Sequence, residues 1–219
     1  MIKAVIFDLD GVVVNSEPLY QKAQTRLFAE FDLIIPESDW LLFRGLTEEA
    51  YYELVCRRYG LESTPAELQR RGRAYVEEIF KAELEVMDGF ARLHQRLKGH
   101  YRLGLVTSTG TDLYWLVADK LQFEGLFQEV VCGDMTANHK PHPEPYLEMM
   151  RRLGVTPKES VVVEDSIHGL QAACDAGAWT IALTGSAPPE KMPPVHAIID
   201  SLGELSPGYI DNLVMMVEV

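Results

Sequence analysis

The chain has 219 residues, 47% of them hydrophobic and 24% charged, enough for one sizeable domain or a domain with a small insert. Its net charge of −13 argues against non-specific binding to nucleic acid or to an anionic membrane. Three scattered cysteines (Cys56, Cys132, Cys174) without metal-ligand spacing read as reduced thiols. With no secretory leader and no apolar run of bilayer length, they point to a cytoplasmic protein.

In chain order the first element is a short apolar run, Ala4, Val5, Ile6 and Phe7, with no polar break. Such a run reads as a strand covered on both faces, as in a parallel sheet. It ends in Asp8-Leu9-Asp10-Gly11. Two carboxylates one residue apart at a strand end can point the same way, and they repel unless a cation or a proton sits between them. A plain strand-end turn is the competing reading, since Asp and Gly form turns readily.

Helices follow. Ser16-Glu17-Pro18 opens one with Leu19, Tyr20, Ala23, Leu27 and Phe31 at helical spacing. After Pro36 comes a short Trp40-Leu41-Leu42-Phe43 segment, interrupted by Gly45. Thr47-Glu48-Glu49 starts the next helix and Gly60 stops it. Ser63-Thr64-Pro65 starts a longer one running toward Val86, with Leu68, Tyr75, Ile79, Phe80 and Leu84 on one side. Residues 15–86 thus form a helical block set into the chain just after its first strand.

From Met87 onward helices and strands alternate, the pattern of βαβ units. Helices fall at residues 90–97, 112–121, 144–153 and 167–176. Strands fall at residues 102–106, 130–131, 160–163, 179–183 and 197–199. Residues 208–219, with Met215, Met216 and Val217, fit none of these patterns. The fold class is α/β, a doubly wound parallel sheet (1–14 and 87–219) with an inserted helical domain (15–86). Parallel strands gather their carboxyl ends at one edge, where open α/β folds bind ligands. Four of these strands end in polar loops: Asp8-Leu9-Asp10, Thr107-Ser108-Thr109, Lys140-Pro141-His142-Pro143 after residues 130–131, and Glu164-Asp165-Ser166.

DLDGV after an apolar first strand resembles the first motif of the haloacid dehalogenase-like phosphohydrolases. The whole chain is similar to the subfamily holding β-phosphoglucomutase and small sugar- or glycolate-phosphate phosphatases, whose helical cap closes over the active site. The resemblance implies Asp8 as nucleophile, forming an aspartyl-phosphate, and Asp10 as general acid and base. It implies Thr107 and Ser108 as ligands of the phosphoryl oxygens. Lys140, in HKPHPEPY, would neutralise charge on the phosphoryl group and Asp8, with a cis peptide before Pro141. Asp8, the Asp10 carbonyl and Asp165 would hold Mg²⁺, with Glu164 acting through water. His139 and His142 read as exposed rather than metal-binding.

The cap departs from the mutase pattern. Mutases of this type carry K-G-x-x-R, whose arginine grips a second phosphate. Here Phe43-Arg44-Gly45-Leu46-Thr47-Glu48 puts an acid at that position, and Tyr20 stands where histidine is usual. A phosphatase acting on a small phosphorylated metabolite therefore fits better than a phosphomutase, with Glu17, Tyr20 and Arg44 as possible contacts to the rest of the substrate. Asp10 argues against a dehalogenase, which lacks that second aspartate. A non-catalytic phospho-acceptor domain is the remaining alternative, and the large helical insert argues against it. A monomer or a weak homodimer is expected.

Overall fold

The computed structural model of the chain describes residues 1–36, 38–40, 48–185 and 188–217. Two compact units emerge, one from Met1–Asn15 with Glu85–Val219 and the other from Ser16–Leu84. The helices are α1 (Glu17–Ala29), α2 (Glu48–Tyr59), α3 (Pro65–Glu83), α4 (Phe90–Leu97), α5 (Thr111–Leu121), α6 (Glu144–Leu153), α7 (Ile167–Asp175) and α8 (Pro207–Val217).

Among the described residues, the first unit holds one sheet of six parallel strands. These are β1 (Ala4–Asp8), β2 (Arg102–Val106), β3 (Glu129–Val131), β4 (Ser160–Glu164), β5 (Trp179–Leu183) and β6 (Ala197–Ile199), in the order β3-β2-β1-β4-β5-β6. The chain builds outward from β1 through β2 to β3, then returns to add β4 on the other side of β1. That reversal is the topological switch point beside which open α/β sheets bind ligands. Asp8 pairs with Val106, and Phe7 with Val163, so Asp8 and Glu164 leave the sheet at one level.

Alternation along β1 divides its side chains between two faces. Ala4 and Ile6 join Val106, Val162, Tyr146, Met149 and Ala172 in one fully buried cluster under α6 and α7. On the other face Phe7 meets Phe90 of α4 edge-on, ring centroids 5.5 Å apart. Burying such a side chain contributes about 1.5–3 kcal/mol. Asp8 has the parity of Ala4 and Ile6, which aims its carboxylate toward the side from which α6 delivers its residues.

The second unit packs α1, α2 and α3 around Leu27, Phe28, Tyr51, Tyr52, Val55 and Leu68. Thr64 caps α3 by accepting the Glu67 N–H at 3.2 Å, and Pro65 follows in the first turn. The pattern predicts α3 running toward Val86, yet it stops at Glu83. Beyond it the chain is extended: Val86 bridges antiparallel to Val14, and the Met87 N–H donates to the Val13 carbonyl at 2.8 Å. Those pairings satisfy backbone groups that another helical turn would have used. Of the Trp40-to-Gly45 segment, residues 41–45 lie outside the described residues.

α8 lies where the sequence pattern assigns no element. Its signals are short: the Ser206 hydroxyl accepts the Tyr209 N–H at 3.2 Å, and Ile210 and Leu213 are buried one turn apart.

Candidate active site

The carboxyl ends of β1 and β4, together with the loop that follows β3, bring Asp8, Lys140, Glu164 and Asp165 together. All four side chains are withdrawn from water, and the Lys140 ammonium pairs with Asp8 and, at 2.7 Å, with Glu164. Carboxylate oxygens of Asp8, Glu164 and Asp165 lie within 4.8 Å of one another. The peptide before Pro141 is cis.

Glu164 shows how the sequence builds this arrangement. Its Oε1 accepts from Lys140 and, at 3.2 Å, from the Tyr146 hydroxyl; its Oε2 accepts from the Asp165 and Ser166 amides and the Ser166 hydroxyl. Five donors on one carboxylate fix it between Lys140 and the first turn of α7. That turn must come very close: a Cβ at position 169 would overlap the Glu164 carboxylate, so only glycine fits. The Ser166 hydroxyl also caps α7, accepting the Gly169 N–H at 3.0 Å. Glu164 is thus the anchor of Lys140 and of its own loop, with both oxygens turned to protein donors.

Gly11 serves a similar end on β1. Its φ of 78° is a left-handed conformation that side chains disfavour, and a Cβ there would run into the Asp165 carboxylate. The β1 loop can therefore lie against Asp165.

Electrostatically the centre is overloaded with negative charge. Burial pushes the Asp8 carboxyl well above its ordinary range; Lys140 opposes this, and Glu164, Asp165 and Asp10 add to it. Burial disfavours the Lys140 ammonium, but Asp8 and Glu164 outweigh it and hold it protonated. Among the described residues, four carboxylates gather around one ammonium. Hard oxygen donors in this number suit a divalent cation such as Mg²⁺, whose charge would let Asp8 ionise.

Thr107 is buried directly after β2, and its Oγ1 accepts the Thr109 N–H at 3.0 Å; Ser108 beside it is exposed. Asp10 is half-buried and close enough to influence Asp8, and its Oδ2 accepts from the Thr109 hydroxyl at 2.9 Å. His139 and His142 are exposed. In the helical unit Glu17 is exposed, and Tyr20 packs edge-on against Phe80 at 5.1 Å. Arg44 lies outside the described residues. Thr109 and Tyr146, which touch the acids of the centre, are not singled out by sequence reasoning. Tyr146 also lies under Lys140, its ring centroid 5.0 Å from the ammonium.

Residues 5–183 match the haloacid dehalogenase-like hydrolase family. The chain is 30% identical over 177 residues to a phosphorylated carbohydrates phosphatase of Thermotoga maritima, covering 80% of this chain and 82% of that one. It is 31% identical over 237 residues to a phosphoglycolate phosphatase of Salmonella paratyphi A, covering 94% and 92%. Among solved structures, CbbY from Rhodobacter sphaeroides in complex with phosphate superposes with a TM-score of 0.82 at 26% identity, over 96% of this chain and 100% of that one.

Proposed function

The chain belongs to the haloacid dehalogenase-like hydrolase family, and we propose that it is a Mg²⁺-dependent phosphatase acting through an aspartyl-phosphate on Asp8. It is a phosphomonoester hydrolase, and its relatives act on phosphorylated carbohydrates and phosphoglycolate. The substrate class we assign is a small sugar phosphate or similar metabolite. The observation that carries the mechanism is the buried cluster of Asp8, Lys140, Glu164 and Asp165 at the switch point of the sheet.

An oxygen of Asp8 attacks phosphorus while the bond to the leaving alcohol breaks, and Asp10 gives that alcohol its proton. Asp10, now a carboxylate, takes a proton from a water that attacks the aspartyl-phosphate, releasing inorganic phosphate and restoring Asp8. Lys140 neutralises charge on the phosphoryl oxygens in a water-poor site, where such compensation is worth most. Thr107 and the Ser108 amide hold those oxygens. Asp8, Asp165 and the Asp10 carbonyl are the residues we assign to Mg²⁺, which supplies Lewis-acid neutralisation of the phosphoryl group.

The helical unit is assigned to substrate selection. In it Glu48 accepts a hydrogen bond from Gln69 at 2.9 Å, so the position held by a phosphate-binding arginine in mutases carries an acid tied to α3. A phosphatase is therefore favoured over a mutase. A panel of phosphorylated metabolites assayed with Mg²⁺ tests the assignment. Turnover is expected for at least one small phosphomonoester, lost with EDTA and in Asp8→Asn; full activity of Asp8→Asn would exclude the covalent route.

A further inference from the structure

We propose that Thr109 is the positioning residue for the general acid and base, Asp10, and that its hydroxyl sets how well the enzyme expels basic leaving groups. The inference rests on the phosphatase reading above and concerns a residue to which that mechanism gives no part.

Asp10 is half-buried, and its backbone bridges to Val14. It sits two residues past the end of β1, just before Gly11 with its positive φ, on the stretch leading out of the sheet. A carboxyl group there has rotamers to choose from, and proton transfer needs one geometry, within hydrogen-bond reach of the alcohol oxygen. Thr109 stands on a firmer base. Its N–H donates to the Thr107 hydroxyl at 3.0 Å, and its carbonyl accepts the Gly133 N–H at 2.9 Å. Position 133 admits no side chain, because a Cβ would overlap the Ser108 carbonyl. The loop after β2 is thereby pinned to the segment after β3, and the parallel register of β1 with β2 carries Thr109 alongside Asp10. The Thr109 hydroxyl then donates to Asp10 Oδ2 at 2.9 Å, across 99 positions of sequence.

A threonine suits this task. Its branched Cβ limits the rotamers of the hydroxyl, so the donor is held at little entropic cost. The hydrogen bond holds Oδ2 and so fixes the orientation of the carboxyl that exchanges the proton. No proton is transferred to or from Thr109 itself.

The test exploits leaving-group chemistry. p-Nitrophenolate departs without a proton, whereas an alkoxide does not, so general acid catalysis matters for alkyl phosphates and hardly at all for the nitrophenyl ester. kcat/KM, which covers the steps up to departure of the alcohol, is measured for glycerol phosphate and p-nitrophenyl phosphate in wild type, Thr109→Val and Thr109→Ser. Thr109→Val keeps the shape and removes the donor. It is expected to lose about 10- to 100-fold on glycerol phosphate, within the contribution of one general acid, and at least tenfold less on the nitrophenyl ester. Thr109→Ser restores both. Mg²⁺ affinity, read by calorimetry without substrate, stays within about threefold of wild type in both variants, well under the change expected from disturbing a metal's supporting shell.

Equal losses on the two substrates, a parallel loss of Mg²⁺ affinity, or failure of the serine variant to recover would overturn the proposal and leave the phosphatase reading standing. Wild-type enzyme inert toward both esters and toward the whole panel of phosphorylated metabolites would remove that reading and this inference with it.

Discussion

Replacing Lys140 by methionine keeps most of the side chain's length and removes its ammonium. In the folded protein the lysine side chain is 6% exposed and pairs with Asp8 and Glu164, which are 9% and 0% exposed. Removing one partner from a buried pair leaves the remaining charge uncompensated, at a cost of about 3–5 kcal/mol. The loss depends on pH, and its sign follows from Asp8. Burial raises the folded-state pKa of that carboxyl, and Lys140 opposes the rise. A carboxyl raised on folding contributes stability below its unfolded value, near pH 4, and loses it as pH rises through the folded value. Without Lys140 that rise is steeper, so the deficit of Lys140→Met is expected to grow from acid toward neutral pH. Urea unfolding in EDTA, at pH values from about 5 to 8, reads it directly over the range where such linkage acts. A deficit under about 1 kcal/mol, the worth of an exposed pair, or one independent of pH, would refute the reasoning.

Asp8→Asn removes the nucleophile and one buried charge together. Turnover is expected to fall by at least about a thousandfold, the loss of an essential nucleophile, while thermal unfolding without Mg²⁺ shows a melting temperature no lower than wild type. Gly11→Ala forces a side chain into a left-handed backbone and against Asp165. It is expected to cost about 1–2 kcal/mol from the backbone alone and to weaken Mg²⁺ binding measured by calorimetry. Away from the site, Glu148 is held down to about 2 by Arg151 and then Arg152. A lowered carboxyl contributes stability above its unfolded value and loses it on acidification. Glu148→Gln should therefore cost at most about 1 kcal/mol at neutral pH, and the difference from wild type should vanish as pH falls toward 2. Chelation with EDTA should abolish turnover and lower the melting temperature, reversibly on adding Mg²⁺.

Much of the α/β unit was legible because its signals are local. The unbroken apolar run before Asp8 announces a strand buried on both faces, and Val161 to Val163 do the same before Glu164. Pro65 behind Thr64 marks the start of α3. The end of α3 was not legible, because Val86 leaves the helical pattern to pair with Val14, 72 positions away. α8 escaped because Leu213-Val214-Met215-Met216-Val217 is an unbroken apolar run, which sets no helical period. In the candidate site, residue types at strand ends could be read, but not their partners. Glu164 reads as an acid available to a metal, and its five protein donors come from Lys140, Tyr146 and the first residues leading into α7. Thr109 in Thr107-Ser108-Thr109 has the composition of any helix-capping turn. Only the pairing of β1 with β2 makes it a neighbour of Asp10.

Acid quenching of Asp10→Ala during turnover, followed by peptide mass mapping, addresses the covalent route itself. With p-nitrophenyl phosphate, whose leaving group needs no general acid, loss of the general base should let the enzyme accumulate the phosphoenzyme, with a single phosphoryl group on the peptide containing Asp8 and none in Asp8→Asn. Phosphate released with no modified peptide, or a phosphoryl group carried on a residue other than Asp8, would contradict the account.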